Sequence, residues 1–541
     1  MKNSTDQHLL ENETFLGYKK RVLDPKSKSF CGAKWYYATV WLNTGQTTSC
    51  HHPLPHQVDA KAVLENPKLL SNTPQKKKER AEMQKGIQCK GCDYCWKVEN
   101  LGADKVSDRV FKSVLYPDDA LQEAYESNPN KDFDLKYLEL SFDRTCNFAC
   151  SYCNPAFSTT WAKDIKNNGG YTDIGKNGTD HYGHEHENAS QYDEENNPYV
   201  KAFFKWWKSD LNRTLTHLRL TGGEPLMSKH TWKLLDLMAN EQSNVTYFAI
   251  NTNLNSKNQL IDKLIQKAKH IKGFHLYSSN ESIGDKAEYL RDGLNWTQWE
   301  NNFNKISQSG SVSSLHSMCT ISALSLEGLP DFLDWCIKVK KNKGAKDGIT
   351  FTLNILRFPN FQSVLVLPQN LRHVFAERLK NWLDINGTSD LLHQMEVDHI
   401  ERLIEYLEQL PVVQISAEGT EADDVIAWAV QSKYFNGWQK LILSNDKDFY
   451  QLCDDDTIII RPTSKEIINK KRLIEEVGIH PRNFGLARSI VGDKSDNLAG
   501  VPRVGLATVA KRFPFLKEDK DYNIEEVLTY AKENETTVIL F

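Results

Sequence analysis

Three cysteines fall within eight residues, Cys146, Cys150 and Cys153, at a Cys-x3-Cys-x2-Cys spacing. Such a loop is short enough to bring three thiolates to one metal centre. Three thiolates around a cubic iron–sulfur cluster leave one iron without a protein ligand, and a substrate or cosubstrate can coordinate there. The bland alternative is a set of buried core cysteines. A second group, Cys89, Cys92 and Cys95, runs Cys-x2-Cys-x2-Cys, with Cys50 or Cys31 able to supply a distant fourth ligand. An iron–sulfur cluster and a tetrahedral Zn²⁺ both fit this group, as does a metal-free loop. A third set is acidic: Glu421, Asp423, Asp424, Asp446, Asp448, Asp493 and Asp496. Left bare, these carboxylates would repel one another. Divalent cations relieve the repulsion, and a pair of Mg²⁺ ions could clamp a phosphodiester for hydrolysis.

The elements that must position these groups follow from pattern. Tyr137–Phe142 is an apolar, strand-like run directly before the three-cysteine loop. His217–Leu220, Thr246–Ile250, Gly273–Tyr277, His316–Ile321 and Ile349–Leu356 continue the series. Amphipathic helical stretches such as Val200–Leu211 and Thr231–Ala239 lie between them. Repeated β-then-α order predicts a parallel sheet covered by helices. Six units are too few for a full eight-stranded barrel, so an open partial barrel is expected, with functional loops after the strands' C-terminal ends. Gly222-Gly223-Glu224-Pro225 occupies that position after the second strand. Its glycines would let backbone approach a ligand, Pro225 would fix the turn, and Glu224 offers a carboxylate to an ammonium group.

Around this core, Ala33–Leu42 reads as a strand, and Lys76–Arg80 as a solvated basic helix face. Asn167–Pro198, with His181, His184 and His186, is a polar insertion with too few apolar residues for a core. It reads as solvated, with a metal-binding loop or substrate lid as alternatives. Phe375–Leu410 is helical, broken at Asn386-Gly387, and its second half is a connector ending near Pro411. Beyond it, Val412–Ser416 and Leu441–Leu443 read as strands, with a helix opening at Glu421.

The chain has 541 residues, with 67 Lys and Arg against 71 Asp and Glu, so global charge points to neither nucleic acid nor membrane. Eleven cysteines, six of them in two tight groups, suit metal binding in a reducing cytoplasm better than a disulfide framework. Met1–Lys20 lacks the apolar core of a signal peptide, and no run nears the roughly 18 apolar residues of a membrane span. A cytoplasmic protein without a membrane partner is expected.

The three-cysteine loop followed one βα unit later by Gly-Gly-Glu-Pro resembles the radical S-adenosylmethionine (SAM) enzymes, over about residues 130 to 385. The resemblance implies that Cys146, Cys150 and Cys153 ligate a [4Fe–4S] cluster whose fourth iron is chelated by SAM. Gly222, Gly223, Glu224 and Pro225 would support the SAM amino group. Asn251 in Ile250–Asn253, together with Ser279, Glu281 and Arg291, would lie near SAM. An electron donor would reduce the cluster, and the resulting 5′-deoxyadenosyl radical would abstract hydrogen from an unknown peptide or small metabolite. The extra cysteines suggest the twitch-type subset, although they precede the core where familiar auxiliary modules follow it.

The strand-then-Asp arrangement after Pro411 resembles the 5′–3′ exonuclease and flap endonuclease family, over about residues 411 to 520. It implies Mg²⁺ held by the seven carboxylates, with Asp446 and Asp448 catalytic. It also implies a DNA-binding helix–turn–helix element with contacts from Gly500, Val501, Gly505, Lys511 and Arg512. The family's first metal-binding strand and basic arch have no counterpart before Pro411, and Thr537–Phe541 reads as an interrupted end. An incomplete domain is therefore expected, from a fusion of gene fragments or with its missing part on another polypeptide.

The expected fold is α/β: a Cys-rich extension (1–130), a partial (βα)6 radical SAM barrel (131–385), a helical connector (386–410) and an incomplete, PIN-like 5′-nuclease domain (411–541). Two further function classes stand beside the radical enzyme: a Mg²⁺-dependent nuclease with the iron–sulfur half accessory, and a non-catalytic DNA-binding tether.

Overall fold

The computed structural model describes residues 8–171, 181–182, 196–343, 348–409, 420–493 and 498–534. The chain divides into two compact units, residues 1–414 and 415–541. No helix among the described residues is long and apolar enough to cross a membrane.

The first unit is built on a nine-stranded sheet. Its strands are β1 (Tyr37–Trp41), β2 (Gln46–Thr48), β3 (His56–Gln57), β4 (Tyr137–Ser141), β5 (His217–Thr221), β6 (Tyr247–Thr252), β7 (Phe274–Ser279), β8 (Ser314–Ile321) and β9 (Ile349–Ile355). Their order is β9-β8-β7-β6-β5-β4-β1-β2-β3. The run from β9 to β1 is parallel throughout, and β2 and β3 join antiparallel. Helices including Lys229–Asn240, Asn258–Ala268, Trp296–Ser309 and Leu329–Lys343 connect the strands. The six βα units expected from the sequence are present. A seventh parallel strand, β1, comes from the Cys-rich region, whose expected long strand begins instead as a helical turn, Ala33–Tyr36. The extension has its own core around Tyr18, Phe30, Trp35 and Trp96, yet β1 ties it to the barrel strands.

Alternation along these strands explains how the sheet is packed. Leu138, Leu140, Leu218, Leu220, Phe248, Ile250, Phe274 and Leu276 are fully buried on one face, under the helices. The opposite face carries Glu139, Arg219, Asn251, His275, Tyr277 and His316, so it can line a polar space. At its base the register sets Tyr37, Tyr137, His217 and Tyr247 side by side, with rings stacked at 4.5, 5.4 and 5.4 Å. Tyr247–His275 at 4.1 Å and Tyr277–His316 at 4.4 Å extend the ladder. Burial lowers His275 to about 4 and His316 to about 3, which keeps both rings neutral.

The edge at β9 is closed by helix Gln394–Gln409. Glu396 accepts from the Phe351 N–H at 2.9 Å and from Lys340 Nζ at 2.5 Å, and His399 Nδ1 accepts from the Leu353 N–H at 3.2 Å. This helix, read from sequence as a connector, instead satisfies donors that an exposed strand would leave open.

In the second unit β10 (Lys440–Leu443) pairs parallel to β11 (Thr457–Arg461), which pairs antiparallel to β12 (Glu466–Ile468). The expected strand Val412–Ser416 and the terminal run Thr537–Phe541 lie outside the described residues. Leu441 and Leu443 are 59% and 69% exposed on β10, an edge strand among the described residues.

The Lys340–Glu396 pair is wholly buried. Glu396→Ala would strand the Lys340 charge and the Phe351 N–H, lowering the stability of the first unit by about 3–5 kcal/mol in chemical denaturation.

Candidate cofactor and metal sites

Cys146, Cys150 and Cys153 lie on the loop after β4, at the sheet's C-terminal end. Cys150 is buried and the other two half-buried. The loop is shaped by its own backbone: the Cys153 N–H donates to Cys150 O at 2.9 Å, Ser158 Oγ to Phe148 O at 2.6 Å, and Trp161 Nε1 to Cys150 O at 2.9 Å. A two-residue antiparallel bridge pairs Ala149 and Cys150 with Asp292 and Arg291. Arg291 donates towards Cys150 Sγ at 3.7 Å and to Glu281 Oε2 at 2.6 Å, in a pair almost wholly buried. Arg291 therefore stands against a cysteine sulfur. Burial pushes the Cys146 and Cys153 thiols up to about 12; Cys150 is also raised by burial, with the Arg291 charge opposing.

Two polar atoms beside Cys150 are left open. Arg291 Nε and Glu281 Oε1 are buried without a hydrogen-bond partner, both in the pair that brackets Cys150. Buried polar atoms in a folded protein are rarely left so, and a bound group would satisfy them.

Gly222-Gly223-Glu224-Pro225 packs on the cysteine loop itself. The Gly223 N–H donates to Asp143 O at 3.2 Å and the Glu224 N–H to Thr145 O at 2.6 Å. A Cβ on Gly222 would sit 2.7 Å from Asp143 O, and one on Gly223 2.4 Å from Thr145 O. The glycines thus let the two loops touch. Glu224 likewise spends its carboxylate on protein: Thr252 Oγ1 donates at 2.6 Å, the Asn253 N–H at 2.6 Å and the Leu226 N–H at 3.0 Å. Burial raises it to about 7 against those three bonds. Asn251 accepts from Arg219 at 3.0 Å, and Ser279 ends β7 on the same polar face.

The described part of the insertion also meets this loop. His181 and Tyr182 are buried; His181 Nε2 lies 3.2 Å from Tyr152 O, and the Tyr182 hydroxyl bonds Ser151 O. Gln362 Nε2 donates to Ser151 O at 2.7 Å and to the Tyr182 hydroxyl at 2.8 Å. A solvated insertion does not describe these two residues, whose aromatic contacts with Trp161 and Phe361 carry no motif that sequence could reveal. His184 and His186 lie outside the described residues.

In the N-terminal region Cys31, Cys50, Cys92 and Cys95 line one cavity. Cys89 does not line it, and its Sγ faces Glu79 O at 3.4 Å. Among the described residues no three His, Cys, Asp or Glu side chains are drawn close enough together to hold a metal ion as they stand.

In the second unit Glu421 directly precedes helix Ala422–Gln431, with Asp423 and Asp424 in its first turn. Asp446 and Asp448 follow β10, the Asp448 N–H donating to Asp446 Oδ1 at 3.0 Å. Burial first, then the charges of Asp446, Glu421, Asp448 and Asp424, raise Asp423, so these acids form one field. Arg488, which the motif reading missed, bonds Asp448 Oδ1 at 3.2 Å and also Asp493 Oδ2. Asp496 lies outside the described residues. Gly500 packs tightly, since a Cβ would sit 1.9 Å from Val491 O, whereas Gly505 faces open space. Val501 donates its N–H to Ile490 O at 2.9 Å, and Lys511 and Arg512 are exposed at the end of helix Leu506–Arg512.

Residues 389–478 match the family model of the 5'-3' exonuclease N-terminal, resolvase-like domain. Over 138 residues the chain is 34% identical to a 5'-3' exonuclease of Buchnera aphidicola, covering 25% of this chain and 48% of that protein. Over 99 residues it is 35% identical to a 5'-3' exonuclease of Aquifex aeolicus, covering 18% of this chain and 34% of that protein. The chain thus spans about half the length, or less, of these curated relatives. The resemblance of the C-terminal part is shown at the level of this domain, and the match begins upstream of Pro411. Among solved structures, Streptococcus suis SuiB bound to S-adenosylmethionine aligns with a TM-score of 0.31 at 14% identity, over 64% of this chain and 69% of that one. Native anSMEcpe with bound AdoMet and a peptide aligns with a TM-score of 0.29 at 15% identity, over 47% and 62%.

Glu224→Gln would set an amide NH₂ against one of three donors and loosen the contact that holds Asp143–Thr145. Alkylation of Cys146, Cys150 and Cys153, followed by mass spectrometry, is expected to run about tenfold faster, equivalent to ~1.4 kcal/mol of lost local stability.

Proposed function

We propose that the first unit is a radical SAM enzyme. Its cluster would be held by Cys146, Cys150 and Cys153, with SAM beside the Gly222–Pro225 loop. The observation that carries this reading is the assembly at Cys150: the three-cysteine loop, the Gly-Gly-Glu-Pro loop bonded to it, and the buried Arg291–Glu281 pair with two unsatisfied polar atoms. When bound and reduced, a [4Fe–4S] cluster with one open iron supplies the electron that cleaves SAM. The chain's own residues do the rest. Arg291 offsets thiolate charge at Cys150. Glu224 fixes β6's end against the cysteine loop. Tyr182 and Gln362 cover Ser151. The polar face from Glu139 to His316 offers hydrogen-bonding groups to a substrate, which this reading takes to be a peptide or small metabolite. An external electron donor completes the requirement.

Anaerobically reconstituted and reduced protein is expected to convert SAM to 5′-deoxyadenosine, read by chromatography. The Cys146→Ala/Cys150→Ala/Cys153→Ala variant should fall at least about a hundredfold; full retention of cleavage would overturn the assignment.

A second reading concerns residues 415–541. The domain match and the clustered Glu421, Asp423, Asp424, Asp446 and Asp448 favour metal-dependent phosphodiester hydrolysis on DNA. Mg²⁺ would be shared among these acids and Asp493, with Lys511 and Arg512 on backbone phosphates. Nucleotide release from 5′-labelled flap DNA in Mg²⁺, lost in Asp446→Ala, is the expected outcome. No release in either Mg²⁺ or Mn²⁺ would retire the hydrolytic reading, and salt-sensitive duplex binding without cleavage would identify a tether.

A further inference from the structure

We infer that Cys31, Cys50, Cys92 and Cys95 form a tetrathiolate metal centre, distinct from the Cys146 loop, and that Cys89 is not one of its ligands. Three separate segments bring these four residues to one cavity. Cys31 precedes the Ala33–Tyr36 turn, Cys50 follows β2, and Cys92 and Cys95 lie on and after the Lys90–Cys92 turn. The sequence spacing alone favours the consecutive trio Cys89, Cys92 and Cys95. The fold breaks that trio and completes a quartet with the two distant cysteines.

The groups facing each sulfur separate the quartet from Cys89. Cys31, Cys50, Cys92 and Cys95 face a cavity that Lys34, His52 and Arg109 also line. Metal-bound thiolates need donors and cations around them, and the lining of this cavity supplies such groups. Cys89 lies outside that cavity and donates its thiol to Glu79 O at 3.4 Å.

Charge around the cavity fits the same reading. Lys34, Arg109, Lys112 and His52 line it together with Asp108. The Lys34 and Arg109 side chains are only 2% and 1% exposed, Lys34 paired with Glu79 at 2.5 Å and Arg109 with Glu99 at 2.7 Å. Four thiolates around a divalent ion, or around a [4Fe–4S]²⁺ cube, carry a net charge of about −2, which the cations of the lining offset in part, since Lys34 and Arg109 also face Glu79 and Glu99. The cavity is about 20 Å³, so loading requires the four side chains to rearrange. With four protein sulfurs, either metal is closed to substrate, so the centre serves structure or electron transfer.

The test uses the full chain carrying Cys146→Ala, Cys150→Ala and Cys153→Ala, so its outcome is independent of the radical SAM reading. Iron, sulfide and zinc are measured after anaerobic purification and reconstitution. The expected result is about four irons with sulfide, or about one zinc, per chain; iron with sulfide identifies a cluster and zinc a mononuclear site, and both support the ligand set. Further Cys31→Ser or Cys50→Ser substitution should reduce the bound metal at least about tenfold, and Cys89→Ser should leave it unchanged. Cys50 is the least buried of the four, so Cys50→Ser decides the matter if Cys31→Ser does not fold. The inference is overturned if the triple variant holds neither metal, or if Cys89→Ser empties the site while Cys50→Ser does not.

Discussion

A parallel sheet with one dry face and one polar face is the constraint on which the first unit depends. Leucine and phenylalanine every second residue hold the helices, and the residues between them are thereby committed to the opposite side. A slip of one residue in any strand would send Arg219 or His275 into the helix layer and expose Leu220 or Leu276. The same registration brings the loops after β4 and β5 side by side, where only glycine lets them touch. The cysteine loop's shape is therefore a property of strand pairing as much as of its own residues.

Much of this was legible beforehand because strands announce themselves by alternation and the cysteines by spacing. All six core strands are present within a few residues of their expected ends. What escaped was long-range. Nothing local marks Tyr37–Trp41 as a seventh parallel strand, because its partner lies a hundred residues away. Nothing in the sequence of Glu396 says that its carboxylate seals a sheet edge. The reading of Gly222 and Gly223 found close backbone approach, and the contact of these glycines with Asp143 and Thr145 was the part that pattern did not show. Cys89 shares the spacing of Cys92 and Cys95 without lining their cavity, because the side on which a sulfur emerges is not written in spacing.

The second unit shows the complementary case. Its acidic motifs are local and so were readable residue by residue, yet Arg488, which neutralises part of the field between Asp448 and Asp493, lies outside every motif. Clustered carboxylates demand counter-charge, and in this fold an arginine provides some of it. A metal ion arriving among Asp448 and Asp493 would compete with that guanidinium, so ion binding and side-chain rearrangement are coupled there.

Helix Gln394–Gln409 has a double allegiance. The exonuclease family model begins at residue 389 and so includes it, while its Glu396 and His399 are bonded to the last strand of the first unit's sheet. The bounds of the family match and of the compact units therefore fall at different points. Cutting the chain along the bounds of that match would remove Glu396 and His399 and unseal the β9 edge.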